Sequence, residues 1–207
     1  MHNNDKILLE QAYSKIYEDI NPFKPASDQD IEDRKQHLIR LANEKVQEYI
    51  KNGSVGDLDL TNTQIQSLPP DLKVGNNLDL RKTPIQSLPS GLEVGGYLDL
   101  VGSPIQSLPD DLKVGGSLFL YNTQIQSLPD DLKVDGHLDV SDTPIQSLPP
   151  GLEVGGSLFL YNTQIQSLPD DLKVDGNLYL YNTQIAKKHT IEDIRKMCPG
   201  LKGRIIV

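Results

Sequence analysis

The 207-residue chain has no Trp and only 3 Phe beside 8 Tyr. An interior built from it must be mainly aliphatic. Its 1 Cys excludes an internal disulfide and a Cys-rich zinc site. The 4 His are scattered and form no ligand cluster, so no metal or cofactor is expected. Positive charge is short, with 20 Lys and Arg against 29 Asp and Glu and a formal charge of −9. That argues against nucleic acid, whose phosphates must be neutralised by cations. No apolar run approaches the ~20 residues that span a bilayer, so no membrane partner is expected. The opening Met1-His2-Asn3-Asn4-Asp5-Lys6 lacks a basic segment followed by an apolar one, the pattern of a secretory signal. The expected compartment is the cytoplasm, with delivery into a host cell left open.

What the chain does have is a period of twenty residues. Leu58 recurs through Leu178, and the position two residues on holds Leu60 through Leu180, with Val140 in one copy. Ile65 through Ile185, Leu68 through Leu168, Leu72 through Leu172 and Val74 through Val174 keep the same spacing. A hydroxyl column runs Thr63, Thr83, Ser103, Thr123, Thr143, Thr163 and Thr183. Residues 114–136 and 154–176 are identical, which points to duplication of a forty-residue unit. One such unit buries too little apolar surface to offset the entropy of ordering its backbone, so the copies must stack.

Leu-x-Leu alternation, as in Leu118-Phe119-Leu120, predicts a short half-buried strand in each unit. Copies connected in the same sense must pair in parallel. Glycines at 75, 95–96 and 136 predict a tight bend before each strand. Pro69 and its equivalents predict a returning arm outside any sheet. The hydroxyl column, placed where the chain turns inward, predicts a buried ladder satisfying turn amides.

Leu118-x-Leu120-x-x-Thr123-x-Ile125-x-x-Leu128-Pro129-x-x-Leu132 resembles a leucine-rich repeat. The unit length and the Leu-Pro pair are similar to the short bacterial class found in type III secreted effectors. The resemblance covers residues 54–185, seven units. It implies an α/β fold: a right-handed solenoid with a parallel concave β-sheet and a protein-binding role, without naming a partner. The family's usual Asn is Thr or Ser here, so the stabilising ladder must be hydroxyl-based. Some short-repeat effectors append a cysteine-dependent ubiquitin ligase domain. Only 22 residues follow Ile185, too few for one.

Both ends read as caps. Residues 1–26 hold an amphipathic helix over 5–19 and a Pro-containing linker; the helix either folds back as a hairpin or serves as a docking peptide. Residues 27–53 form a capping helix with Ser27 at its N-cap and an apolar face of Ile31, Leu38, Leu41, Ala42, Val46, Tyr49 and Ile50. The repeats occupy 54–185. Residues 186–207 read as a helix-plus-strand unit, with a capping box at Thr190 and Asp193. A helix follows over Ile191–Met197, then a last edge strand with Ile205 and Val207 inward. Cys198 fits a buried cap residue better than a nucleophile, and the chain is not expected to be an enzyme.

The outward strand positions carry the candidate site. Every aromatic in the repeats falls on them: Tyr97, Phe119, Tyr121, Phe159, Tyr161, Tyr179 and Tyr181. His137 and Asp139 stand among these rings. The rings serve either as surface packing or as a patch for a protein or peptide. Toward the N-terminus the same surface is acidic, through Asp57, Asp59, Asp79 and Asp99. Two such charges about 5 Å apart repel by roughly 1 kcal/mol in water. The row is therefore a solvated face, a site for basic groups of a partner, or a divalent-ion site. Non-catalytic recognition on the concave face is the expected function. A structural or assembly protein, of viral or phage origin, and a secreted effector without a catalytic domain are the other readings. Oligomeric state is not indicated by the sequence.

Overall fold

The computed structural model describes residues 27–207, so the helix expected over 5–19 lies outside the described part. The chain divides into two units between His37 and Leu38. In the first, Ser27 opens the helix Asp28–Lys51 with a reciprocal cap. Its Oγ accepts the Asp30 N–H at 3.1 Å, and the Asp30 carboxylate accepts the Ser27 N–H at 3.0 Å.

In the second unit, the later turns of that helix contribute Ala42 and Val46 to the core, with Tyr49 packed partly against it. The apolar face expected to be wider is not buried: Ile31, Leu38, Leu41 and Ile50 are exposed. Of this helix only Ala42 and Val46, one turn apart, are buried. Tyr49 Oη donates to the Gly56 carbonyl (3.0 Å) and accepts the Gly75 N–H (3.1 Å), fastening the helix end to the first coils. Gly53, at φ +86°, supplies the left-handed residue that stops the helix.

Each repeat contributes two short strands rather than one. The predicted strands form an eight-stranded parallel sheet that starts at Leu58–Asp59, advances by twenty residues to Leu178–Tyr179, and closes with Ile205–Ile206. Register is one repeat per strand, Leu58 against Leu78 and Phe159 against Tyr179. The returning arm is not free of sheet structure. Lys73–Val74 and its equivalents form a second parallel sheet of seven strands, ending at Gly200–Leu201. The Leu-Pro pairs precede this sheet and lie outside it, so proline's missing N–H removes no ladder bond. On the outer side of the second sheet Glu93 pairs with Lys73 and Lys113, and Glu153 with Lys133 and Lys173.

The core is a continuous aliphatic column made of the Leu, Ile and Val positions of every coil, and no repeat aromatic belongs to it. The hydroxyl column is buried as predicted from Thr83 onward, but its chemistry is reversed. Thr63, Thr83, Thr123, Thr143, Thr163 and Thr183 each donate Oγ1–H to the backbone carbonyl three residues earlier, at 2.6–2.8 Å. At Thr63, Thr83, Thr163 and Thr183 the same carbonyl also accepts the residue's own N–H, so the hydroxyl adds a second bond to a carbonyl instead of satisfying a turn amide. Only Thr183 also accepts an amide, from Ala186, because it caps the helix Gln184–Lys188. Ser103 Oγ, the one serine in the column, is buried without a partner.

The chain bends before each strand as predicted, at 75–76, 95–96, 115–116 and 135–136, and close packing accompanies the bend. A Cβ on Gly115 would lie 2.6 Å from the Gly95 carbonyl oxygen, and one on Gly116 would lie 2.7 Å from the Gly96 carbonyl carbon. None of these glycines has a left-handed backbone; coil-on-coil contact favours the missing side chain, although Asp135 and Asp175 stand at the Gly115 position in two coils.

At the C-terminal end the capping box is present: Thr190 Oγ1 accepts the Asp193 N–H at 3.2 Å ahead of the helix Ile191–Met197. Cys198 is fully buried, donates to the Ile194 carbonyl (3.1 Å), and has its thiol pushed above its usual range by burial. Ile205 points inward, but Val207, expected beside it, is 49% exposed. It lies past the last residue paired in the strand.

Candidate functional site

Side chains alternate across a strand, so inward Leu58 and Leu60 place residues 57, 59 and 61 outward, and every coil repeats the arrangement. Three outward columns result. They bring together all the predicted residues: Tyr97, Phe119, Tyr121, His137, Asp139, Phe159, Tyr161, Tyr179 and Tyr181, with Asp57, Asp59, Asp79 and Asp99 toward the N-terminal coils.

The rings pack on one another instead of standing singly. Phe159 stacks on Tyr179 with centroids 4.6 Å apart and planes 9° from parallel. Tyr161 meets both, at 6.1 and 5.8 Å, and His137 meets Phe159 edge-on at 6.1 Å. Tyr97 and Phe119 form a second cluster, edge to face at 6.2 Å. Phe119, Phe159, Tyr161, Tyr179 and Tyr97 are half-buried by these contacts, while Tyr121 and Tyr181 stay 42% and 65% exposed. Burial lifts the Tyr97 and Tyr161 hydroxyls above the usual phenol range.

The acidic row is satisfied from within. Asp59, Asp79, Asp99 and Asp139 each accept, through Oδ1, the N–H two residues on, at 2.9–3.1 Å. These are turn carboxylates that hold the chain as it leaves the strand. Arg81 adds the cation. Its Nε reaches both oxygens of Asp79 at 2.9 Å and Asp99 Oδ2 at 3.5 Å, and its Nη2 also bonds Asp79. Asp79, read from sequence as part of a solvated row, is 6% exposed. Burial pushes the Asp79 carboxyl up, but the bonds from Arg81 outweigh it and hold the group below its ordinary value. Asp99 goes the other way: burial raises it, and the Val101 N–H offsets only part of that. Asp59 is lowered by hydrogen bonds from Thr61. Arg81 itself is held more firmly protonated by its bonds to Asp79.

A further set of residues was not anticipated as a unit. In the column before the strand, a side-chain acceptor in one coil takes the backbone N–H of the next. Asp57 takes Asn77, Asn77 takes Tyr97, Ser117 takes His137, His137 Nδ1 takes Ser157, Ser157 takes Asn177 and Asn177 takes Arg204, at 2.8–3.1 Å. Tyr97 alone interrupts this ladder, since its ring carries no acceptor near the backbone. The signal was available: every other member of the column is Asp, Asn, Ser or His. His137 therefore has one ring nitrogen committed to the scaffold and its ring edge against Phe159.

Among the described residues, no group of three or more His, Cys, Asp or Glu could hold a metal ion. No described helix is long and apolar enough to cross a membrane. No protein-family model matches the chain, and no curated protein matches it. What the fold and the surface define is a class: a parallel β-solenoid of twenty-residue coils, consistent with a repeat protein.

Proposed function

We propose that this chain is a non-catalytic protein- or peptide-binding module of the leucine-rich-repeat kind, docking its partner on the outer face of the eight-stranded sheet. The observation that carries this reading is the segregation of rings. Seven aromatic residues lie on one surface, outside a core that accommodates none of them. An aliphatic tube needs no rings on its outside to fold, and aromatic residues are the side chains that dominate binding hot spots. Patches of this kind on a protein surface commonly mark interfaces. The acidic coils contribute less than their formal charge suggests, because Arg81 and the turn amides already engage Asp79 and Asp99. Exposed Asp57 and Asp59 remain to orient basic groups of a partner.

The test is affinity capture with the full chain as bait, comparing wild type with Phe159→Ala/Tyr161→Ala. Partners retained by wild type and lost from the double variant support docking on the rings. An identical set of partners on both would remove the ring surface from recognition.

A further inference from the structure

We propose that the docking face takes an arginine side chain of its partner at Asp139, between Phe119 and Phe159. This rests on the docking reading above and names the chemistry it recognises.

The molecule contains its own template for the contact. In the middle outward column, Asp79 and Asp99 share the guanidinium of Arg81, which lies across the two coils. Asp139 belongs to the same column and has the same turn geometry, its Oδ1 accepting the Ser141 N–H at 2.9 Å. Among the described residues no cation accompanies it. The residue corresponding to Arg81 is Ser141, which is buried, and the flanking coils place Tyr121 and Tyr161 there. Oδ2 of Asp139 thus makes no hydrogen bond or ion pair among the described residues. A carboxylate half-buried beside rings and lacking a counter-charge is the complement of a cation.

The neighbours select which cation. Phe119 and Phe159 pair with Asp139 on the strands to either side. Each belongs to a separate ring cluster, Phe119 with Tyr97 and Phe159 with Tyr179, so Asp139 lies on the strand between the two. Strands two apart lie roughly 9.6 Å from one another. A flat group at Asp139 would then come within the ~6 Å of a ring that a cation–π contact needs, beside His137, whose ring already meets Phe159 at 6.1 Å. Guanidinium is planar, stacks on aromatic faces and bonds carboxylate with a fork of donors, whereas a lysine ammonium does none of these as well.

The test is a titration of the ¹⁵N-labelled full chain with acetyl-arginine amide, following the Ser141 amide that donates to Asp139. Acetyl-citrulline amide has the same shape without the charge, and acetyl-lysine amide has the charge without the plane. Asp139→Asn keeps an acceptor for the Ser141 N–H. The expected result is a saturable Ser141 shift with a dissociation constant of the order of millimolar, weakened about tenfold or more for citrulline and in Asp139→Asn. No saturable shift up to tens of millimolar, or the same shift with citrulline or in Asp139→Asn, overturns the proposal. Equal binding of the lysine amide overturns the choice of guanidinium. If the ring double variant loses its partner while acetyl-arginine amide gives no response, the arginine pocket fails and the docking face stands. A response to the amide with no ring-dependent partner gives the reverse.

Discussion

Phe159 and Tyr179 lie on neighbouring strands, twenty residues apart, with their rings parallel within 9° and 4.6 Å between centroids. The stack sits outside the tube whose walls those same strands form. Leu158 and Leu178, one residue earlier, are the inward counterparts and are fully buried. Adjacent residues thus divide between holding the fold and presenting a surface.

That division is measurable. Leu118→Ala should cost about 2–5 kcal/mol, because it leaves a cavity in a close-packed column. Phe159→Ala should cost less, about 1–3 kcal/mol, since it loses its contacts with Tyr161 and Tyr179, worth about 0.5–1.5 kcal/mol each, and opens no core cavity. Chemical denaturation of both variants checks the order. A larger loss at Phe159 would make the rings part of the scaffold.

The Arg81 bridge predicts a pH signature. With its carboxyl held low, Asp79 contributes stability that is present above its ordinary value of 3.8 and lost as pH falls through the depressed one. Asp99, held high, contributes in the opposite sense: its part is complete below 3.8 and lost as pH rises through the raised value. Arg81→Gln should therefore lower the melting temperature at pH 7, with the deficit closing as the carboxylates protonate. Asp99→Asn should raise it at pH 7, with the gain vanishing toward pH 3. Thermal melts across that range decide, and a pH-independent difference would contradict the assignment.

The hydroxyl column offers an internal control. Thr123 Oγ1 donates to the Leu120 carbonyl at 2.7 Å, whereas Ser103 Oγ is buried unpaired. Thr123→Ala should cost about 1–2 kcal/mol, and Ser103→Ala should be neutral or stabilising, since it removes an unsatisfied group. Equal losses at both sites, measured by urea unfolding, would mean that the donated bond does not set the column's value.

His137 provides a test of the inter-coil ladder. Its Nδ1 accepts the Ser157 N–H at 2.8 Å. His137→Leu leaves that half-buried donor unpaired and should cost about 1–3 kcal/mol, while His137→Asn, which can accept as Asn77 does, should cost little. Comparable stability of the two variants would show that the rung carries no weight.

The stacking of twenty-residue coils was legible because each inward position repeats an aliphatic residue, and a period-two strand admits only one facing. The same logic placed the rings outside. The second sheet was not legible: Lys73-Val74 is too short to alternate, and proline nearby argued against pairing. The acidic row misled for a different reason. Asp79 reads as a charge, but a carboxylate two residues before a turn amide is first a turn residue, and Arg81 lies two positions further along the chain. Formal charge counts cannot distinguish an acid facing water from one that already has a guanidinium. The helix Gln184–Lys188 was hidden because Thr183 and Ile185 still keep the repeat pattern through its first turn.

The central claim is that the ring-bearing face, and no other, meets the partner. A captured partner should be titrated against wild type, against Phe159→Ala/Tyr161→Ala, and against Lys133→Ala/Lys173→Ala on the outer side of the second sheet. The account predicts that the ring variant loses affinity by tenfold or more, while the lysine variant binds as wild type does. Full binding by the ring variant, or a loss confined to the lysine variant, would contradict it.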